Sequence, residues 1–286
     1  MATADRKQAA GSGFFSGKRP RVIGHRGTAG TVPENTLESF QQALFDGADI
    51  LETDVHLSAD GEVIISHDPT VDRTTDGTGA IATMTVSQLK QLDAGYRFTT
   101  DGGKTFPFRG KGLKIPTFEE MLWAFPGIPI NVEIKVDNPV LTEKCLSLLR
   151  KYNRVSDVTV LVAAVKNRLA RHMRALEPHL VTGHSRQEIV LFYVLTRLHL
   201  SWLFRSKGRA FQVPFKQGRV QVVTPEFIEA AHRQGIEVHV WTVNEEPEMR
   251  KYLQMGADAL FTDFPGRMRK LVDSGDFRAP GRRGSP

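Results

Sequence analysis

The chain has one cysteine, Cys145, so no intramolecular disulfide is open to it. It falls in the helical pattern Leu141–Tyr152, reads as a small core residue, and is compatible with a reducing compartment. The stretch Met-Ala-Thr-Ala-Asp-Arg-Lys lacks the apolar segment of a secretory signal, which points to a cytoplasmic setting. No apolar run reaches the ~20 residues of a membrane span. No G-x-G-x-x-G loop supports a dinucleotide fold, and no DNA- or RNA-binding module is recognisable, so no nucleic-acid partner is expected.

What is present suits a substantial soluble core: 40% hydrophobic and 24% charged residues over a length that one α/β barrel accommodates. The net charge of +6 favours anionic partners, among them anionic lipid and phosphate-bearing metabolites. Residues 1–20 and 275–286, rich in Gly, Ser, Pro, Lys and Arg, read as flexible tails around a domain spanning 21–274.

Short β-rich runs alternate with helical patterns. Strands are expected at Arg21–His25, Ile50–Leu57, Ile130–Lys135, Val158–Val162, Leu180–Gly183, Ala210–Val213, Glu237–Thr242 and Ala259–Phe261. Helices are expected at Thr36–Phe45, Val140–Tyr152, Val165–Leu176, Pro225–Gln234 and Glu246–Met255. This alternation implies a TIM (β/α)8 barrel, with a doubly wound open sheet as the competing fold. A long polar excursion at about 68–116 follows the second strand, too long for a plain connector. Before it, Asp60-Gly61 signals a hairpin that returns through Glu62–Ser66.

Chemistry-bearing residues gather at strand ends. "VIGHRG" puts His25 and Arg26 after a short strand, either a solvated strand end or part of a site, and Asn35 reads as a helix N-cap with Glu38 in capping-box spacing. In "ILETDVH", alternation places Glu52 and Asp54 on one face, where burial demands a partner: a hard divalent cation or neighbouring basic side chains. His56 shares their parity but reads as structural. His67 in "VIISHDP" reads as a proton shuttle or a capping histidine. In "INVEIKV", Glu133 would complete a three-carboxylate site and Lys135 would neutralise a phosphate, unless the two form a plain salt bridge. Trp241 and His239 in "EVHVWTVN" would wall a substrate or fill the barrel. Together the set suits metal-assisted attack on a phosphodiester.

Over Val22–Val272 the sequence resembles the glycerophosphodiester phosphodiesterase family. The resemblance rests on "GHRG", "PENTLESF", "LETDVHLSADGEVIISHD", "DRTTDGTG", "IPTFEEML", "NVEIK", "VWTVN" and "GADALFTDFP", in that order. It implies a TIM barrel with a small insertion after the second strand. It also implies His25 and His67 as acid/base pair, Arg26 and Lys135 on the phosphate, and Glu52, Asp54 and Glu133 on a divalent metal, Mg2+ or Ca2+. Trp241 would line the pocket, while Glu34 and Asn35 would organise the loop. The implied reaction converts a glycerophosphodiester to an alcohol and a glycerol phosphate. Lysophospholipase D-like action on lysophospholipids, and a non-catalytic phosphate-binding barrel, are the alternatives. The segment Glu188–Arg209 carries an apolar run to Phe204, interrupted by Arg197 and His199, and ends with Arg205, Lys207 and Arg209. It is read either as a core-packed helix or as an interfacial element, a peripheral membrane contact or acyl-chain wall beside the site.

Overall fold

The computed structural model describes residues 14–15, 17–156, 158–162 and 167–277. Its strands are β1 (Arg21–Gly24), β2 (Ile50–Leu57), β3 (Val63–Ile65), β4 (Ile130–Ile134), β5 (Val158–Val162) and β6 (Val181–Thr182). They continue with β7 (Ala210–Pro214), β8 (Lys216–Gln217), β9 (Val220–Gln221), β10 (Glu237–Trp241) and β11 (Ala259–Thr262). Eight of them run parallel in the spatial order β6-β5-β4-β2-β1-β11-β10-β7. The ends of that row meet: Gly183 bridges Ala210 in parallel, His184 N–H donates to the Ala210 carbonyl at 3.1 Å, and Arg209 N–H donates to the Thr182 carbonyl at 3.0 Å. An open doubly wound sheet has no such closure, so the architecture is a TIM-type barrel.

Strand parity sorts the core. On β2, Leu51 and Val55 point outward into an apolar shell with Phe40, Met121, Val132 and Leu141. A second outer shell, built on Phe211, Val213, Val238, Val240 and Leu260, covers the other half of the barrel. The inward positions are unusually polar: Glu52, Asn131, Gln212 and His239 are all buried. Gln212 Nε2 donates to Asn131 Oδ1 at 2.7 Å, and His239 Nε2 lies 2.9 Å from Glu237 Oε2, so much of this interior is hydrogen-bonded.

Phe14 and Phe15 correct the expectation of a flexible tail over residues 1–20. Both are buried, packed with Ile23, Ile50, Val181, Ala210 and Ala259 at the N-terminal ends of the strands. Two aromatic rings there stopper the barrel, a role that a Gly- and Lys-rich composition hides. Tail residues 1–13, 16 and 278–286, and the start of the expected helix at Val165, lie outside the described residues.

The hairpin expected at Asp60-Gly61 forms, with β3 antiparallel to β2 and Gly61 at φ 79°. The excursion beyond it carries its own small core of Ile64, Val71, Ile81, Leu89, Leu113 and Ile115. Within it lies a short helix, Val86–Leu89, with a Thr85/Gln88 capping box. It is a packed cap rather than a loose loop.

Candidate active site

The site is built at the C-terminal ends of β1, β2, β4 and β11. Parallel register sets Asp54 beside Glu133 and Glu52 beside Asn131. One oxygen from each of Glu52, Asp54 and Glu133 consequently lies within 4.8 Å of the other two. Burial, reinforced by the Asp54 charge, pushes the Glu52 carboxyl up to about 8. Burial likewise raises Glu133, whereas at Asp54 burial is outweighed by Lys135 and Arg26, which hold its carboxyl below the usual range. Crowded, buried, all-oxygen donors of this kind fit a hard divalent cation.

Lys135 Nζ sits 3.0 Å from Asp54 and 2.8 Å from Glu133. Its ammonium is therefore paired with the carboxylates here, the ion pair that the sequence offered as the alternative to a phosphate contact.

β1 ends at Gly24, and the chain turns at once. Gly27 adopts φ 90°, and a Cβ there would lie 2.3 Å from Ser39 Oγ. Arg26 is itself left-handed at φ 53°, held by its N–H donating to Glu52 Oε2 at 2.9 Å. Its guanidinium donates to Glu34 at 3.0 Å and approaches Asp54 at 3.5 Å. Asn35 is not the helix N-cap. Thr36 caps Leu37–Phe45 by accepting from Ser39 N–H, so no Asn35–Glu38 capping box forms. Asn35, at φ 57°, instead donates to Asp54 at 3.2 Å and accepts from Thr53 at 2.9 Å. The left-handed conformation that Asn tolerates turns its amide onto the carboxylate cluster.

Both histidines are backed by aspartate. His25 Nδ1 is 2.7 Å from Asp263 Oδ1, and His67 Nδ1 is 2.6 Å from Asp68 Oδ1. With Nδ1 engaged, Nε2 is the nitrogen left to exchange a proton. Burial opposes protonation of His25, but Asp263 and Glu52 outweigh it and raise the imidazole above its ordinary value. At His67 burial, with Arg26 and Lys135, prevails over the Asp68 bond and lowers it. His56 is structural, its Nε2 3.1 Å from the His67 carbonyl. Trp241 ends β10 with 41% of its surface exposed, while His239 is fully buried beneath it. His239 thus fills the barrel interior, and Trp241 stays accessible at its rim.

Sequence reading gave no role to Asp263, Asn244 or Arg73. Asn244 Nδ2 donates to Asp263 at 2.6 Å, and Arg73 bridges Asp68 to Glu34. The first two sit in "TDFP" and "VWTVN" at the same strand ends as the other site residues, and that placement was the signal available.

A closed (β/α)8 barrel whose C-terminal mouth holds a carboxylate cluster and two aspartate-backed histidines defines a barrel hydrolase class. The profile of the Glycerophosphoryl diester phosphodiesterase family matches residues 25–267. The chain belongs to that family of phosphoric diester hydrolases. It is 32% identical to a glycerophosphodiester phosphodiesterase of Caldanaerobacter subterraneus subsp. tengcongensis, over 89% of this chain and 98% of the relative. It is 28% identical to the Mus musculus lysophospholipase D GDPD1, over 89% and 86% of the respective chains. Among solved structures, an Oleispira antarctica phosphodiesterase in complex with the product sn-glycerol-3-phosphate superposes with TM-score 0.72 at 27% identity, covering 89% of this chain and 97% of that one. The phosphodiesterase domain of a Mycobacterium tuberculosis protein superposes with TM-score 0.76 at 20% identity, over 89% and 100%.

Proposed function

We propose that this chain hydrolyses water-soluble glycerophosphodiesters to an alcohol and a glycerol phosphate. The convergence of Glu52, Asp54 and Glu133 with two aspartate-backed histidines at one barrel mouth carries the reading. The three carboxylates would hold Mg2+ or Ca2+, which when bound supplies Lewis-acid stabilisation of charge on the phosphoryl oxygens. Arg26 and Lys135 hold the phosphate, with their charge already oriented by Glu34, Asp54 and Glu133. His25 and His67 act as the acid/base pair through Nε2, and Trp241 gives the alcohol portion an apolar wall. A cytoplasmic setting is consistent with a single cysteine, Cys145, which can form no intramolecular disulfide.

A product assay on glycerophosphodiesters and lysophospholipids, with EDTA and with added Mg2+ or Ca2+, tests the reading. Turnover of the soluble diesters, abolished by EDTA and restored by one ion, is expected. Full activity in EDTA would refute the metal site.

A second proposal concerns Glu188–Arg209, which we read as a peripheral contact for an anionic membrane surface. Its helix, Arg186–Arg197, buries only Phe192 fully and leaves Val190, Leu191, Val194 and Leu198 on the outside, with Trp202 and Leu203 beyond. Arg186, Arg197, Arg205 and Lys207 are exposed around this ridge, the charge pattern an anionic bilayer complements. Among the described residues no helix is long and apolar enough to cross a membrane. The ridge favours a membrane contact over an acyl-chain wall beside the site. The helix descends from the mouth, and its far end reaches Gln234 at the opposite face, where Gln234 Nε2 donates to the Ser201 carbonyl at 3.3 Å. Lysophospholipid turnover is thus the weaker reading, despite the lysophospholipase D relative. Co-sedimentation with anionic but not neutral vesicles, lost in Leu198→Glu/Leu203→Glu, is expected. Binding unchanged by those substitutions would defeat this proposal.

A further inference from the structure

The packed cap after β3 sends one side chain back to the catalytic mouth. Arg73 uses all three guanidinium nitrogens. Nε donates to Asp68 Oδ2 at 2.6 Å, Nη1 to Glu34 Oε2 at 2.8 Å, and Nη2 to Glu34 Oε1 at 2.7 Å. Asp68 in turn accepts from His67, and Glu34 accepts from Arg26 at 3.0 Å. A continuous ionic chain therefore runs His67–Asp68–Arg73–Glu34–Arg26, joining a proton-transfer group to a phosphate-holding group. Its middle member lies in the insertion and belongs to no barrel strand.

The backbone carrying Arg73 is anchored on both sides. Val71 is buried in the cap's own core, and Thr75, also buried, donates its hydroxyl to the Val71 carbonyl at 2.8 Å. Arg97 Nε donates to the Thr75 carbonyl at 2.8 Å, tying this turn to the far part of the cap. The guanidinium itself is about half exposed, with a side-chain accessibility of 49%. A side chain so exposed adds little to global stability, yet its planar fork fixes two carboxylates in one geometry that an ammonium cannot reproduce.

We infer that Arg73 is a positioning residue for the phosphodiesterase reaction. It sets the His67 ring through Asp68 and the Arg26 guanidinium through Glu34, making the insertion a working part of the site. The inference rests on the phosphodiesterase reading, in which His67 moves a proton and Arg26 holds phosphate.

The test is a double-mutant cycle on the full chain, with glycerophosphocholine as substrate and saturating divalent ion, using Arg73→Leu, Arg73→Lys, His67→Ala and the Arg73→Leu/His67→Ala pair. Arg73→Leu should lower kcat about 10- to 100-fold, the range seen when an orienting partner is removed. It should also raise KM through Arg26 and leave the melting temperature unchanged. In the His67→Ala background the further loss in kcat should shrink to less than about twofold while the KM effect persists, the non-additivity of residues acting as a unit. Arg73→Lys should recover part of kcat. Arg73→Leu with wild-type kinetics, losses that multiply across the two backgrounds, or a kcat loss matched by a lowered melting temperature would each overturn the inference. Wild-type activity in His67→Ala would instead overturn the role of His67 itself, so the two failures are distinguishable.

Discussion

The His25–Asp263 and His67–Asp68 pairs present the same chemical unit on different supports. His25 leaves β1, and Asp263 leaves the neighbouring β11. Asp263 is fixed from two directions by Asn244, whose Nδ2 donates to its carboxylate and whose Oδ1 accepts its N–H at 2.9 Å. His67 and Asp68 are adjacent in sequence, stand more open to solvent, and depend on a side chain from the insertion. The barrel holds one pair through strand register and the cap holds the other through an ionic chain. Their electrostatics diverge accordingly: at His25 burial is outweighed by Asp263 and Glu52 and the imidazole is raised, while at His67 burial prevails, aided by Arg26 and Lys135, and the imidazole is lowered. Opposed shifts are what an acid/base pair working near neutral pH requires.

Removing either imidazole should produce the largest effect. His25→Ala and His67→Ala should each cost roughly 10²–10⁴-fold in kcat, measured by single-turnover assay at saturating metal. A variant that kept wild-type turnover would leave the pair with only one working member. The aspartates come next. Asp263→Asn and Asp68→Asn should each cost roughly 10²-fold or less, since the imidazole stays in place but loses its orienting charge. Each aspartate raises the pKa of its histidine, so each substitution should move its own limb of the pH–rate profile to lower pH. The His25 limb should move further, because that pair is the more enclosed of the two and its charges are less screened by solvent. If both limbs moved equally, the contrast between strand-held and cap-held pairs would fail.

The barrel was legible because alternation of strand and helix survives in a single sequence, and parity alone put Glu52, Asp54 and Glu133 on inward faces. His25, Arg26, His67 and Lys135 were legible as costly side chains at strand ends. What stayed hidden depends on contacts between residues distant in sequence. Asp263 meets His25 only because the last strand pairs with the first. Arg73 matters through Glu34, 39 residues away. Asn35 misleads because a left-handed Asn and an N-cap Asn share one local signature, and the adjacent Thr36 caps equally well. Phe14 and Phe15 are masked by composition, since flanking Gly, Ser and Lys outweigh two aromatics that the open end of a barrel can bury.

A third histidine–aspartate pair supplies the control. His232 Nε2 lies 2.8 Å from Asp258 Oδ2, an aspartate-backed imidazole at the opposite end of the barrel engaged through Nε2 rather than Nδ1, with Arg19 also on Asp258 at 2.7 Å. No carboxylate cluster accompanies it there among the described residues. His232→Ala should therefore leave kcat and KM unchanged and lower stability by less than about 1 kcal/mol, the pair being part exposed. The pH dependence of that small contribution follows from the shifts. Asp258 raises the His232 pKa, so the histidine's contribution is complete below its ordinary 6.5 and is lost as pH rises through the raised folded value. Burial opposes ionisation of Asp258, yet His232 and Arg19 hold its carboxyl down to about 2. Its contribution is accordingly present above the ordinary carboxylate value and is lost as pH falls toward about 2. Thermal melts of wild type and His232→Ala should differ most between those limits and converge at high pH. Lost turnover in His232→Ala would mean that an aspartate-backed histidine affects the reaction wherever it stands. The distinction drawn from the carboxylates around His25 and His67 would then collapse.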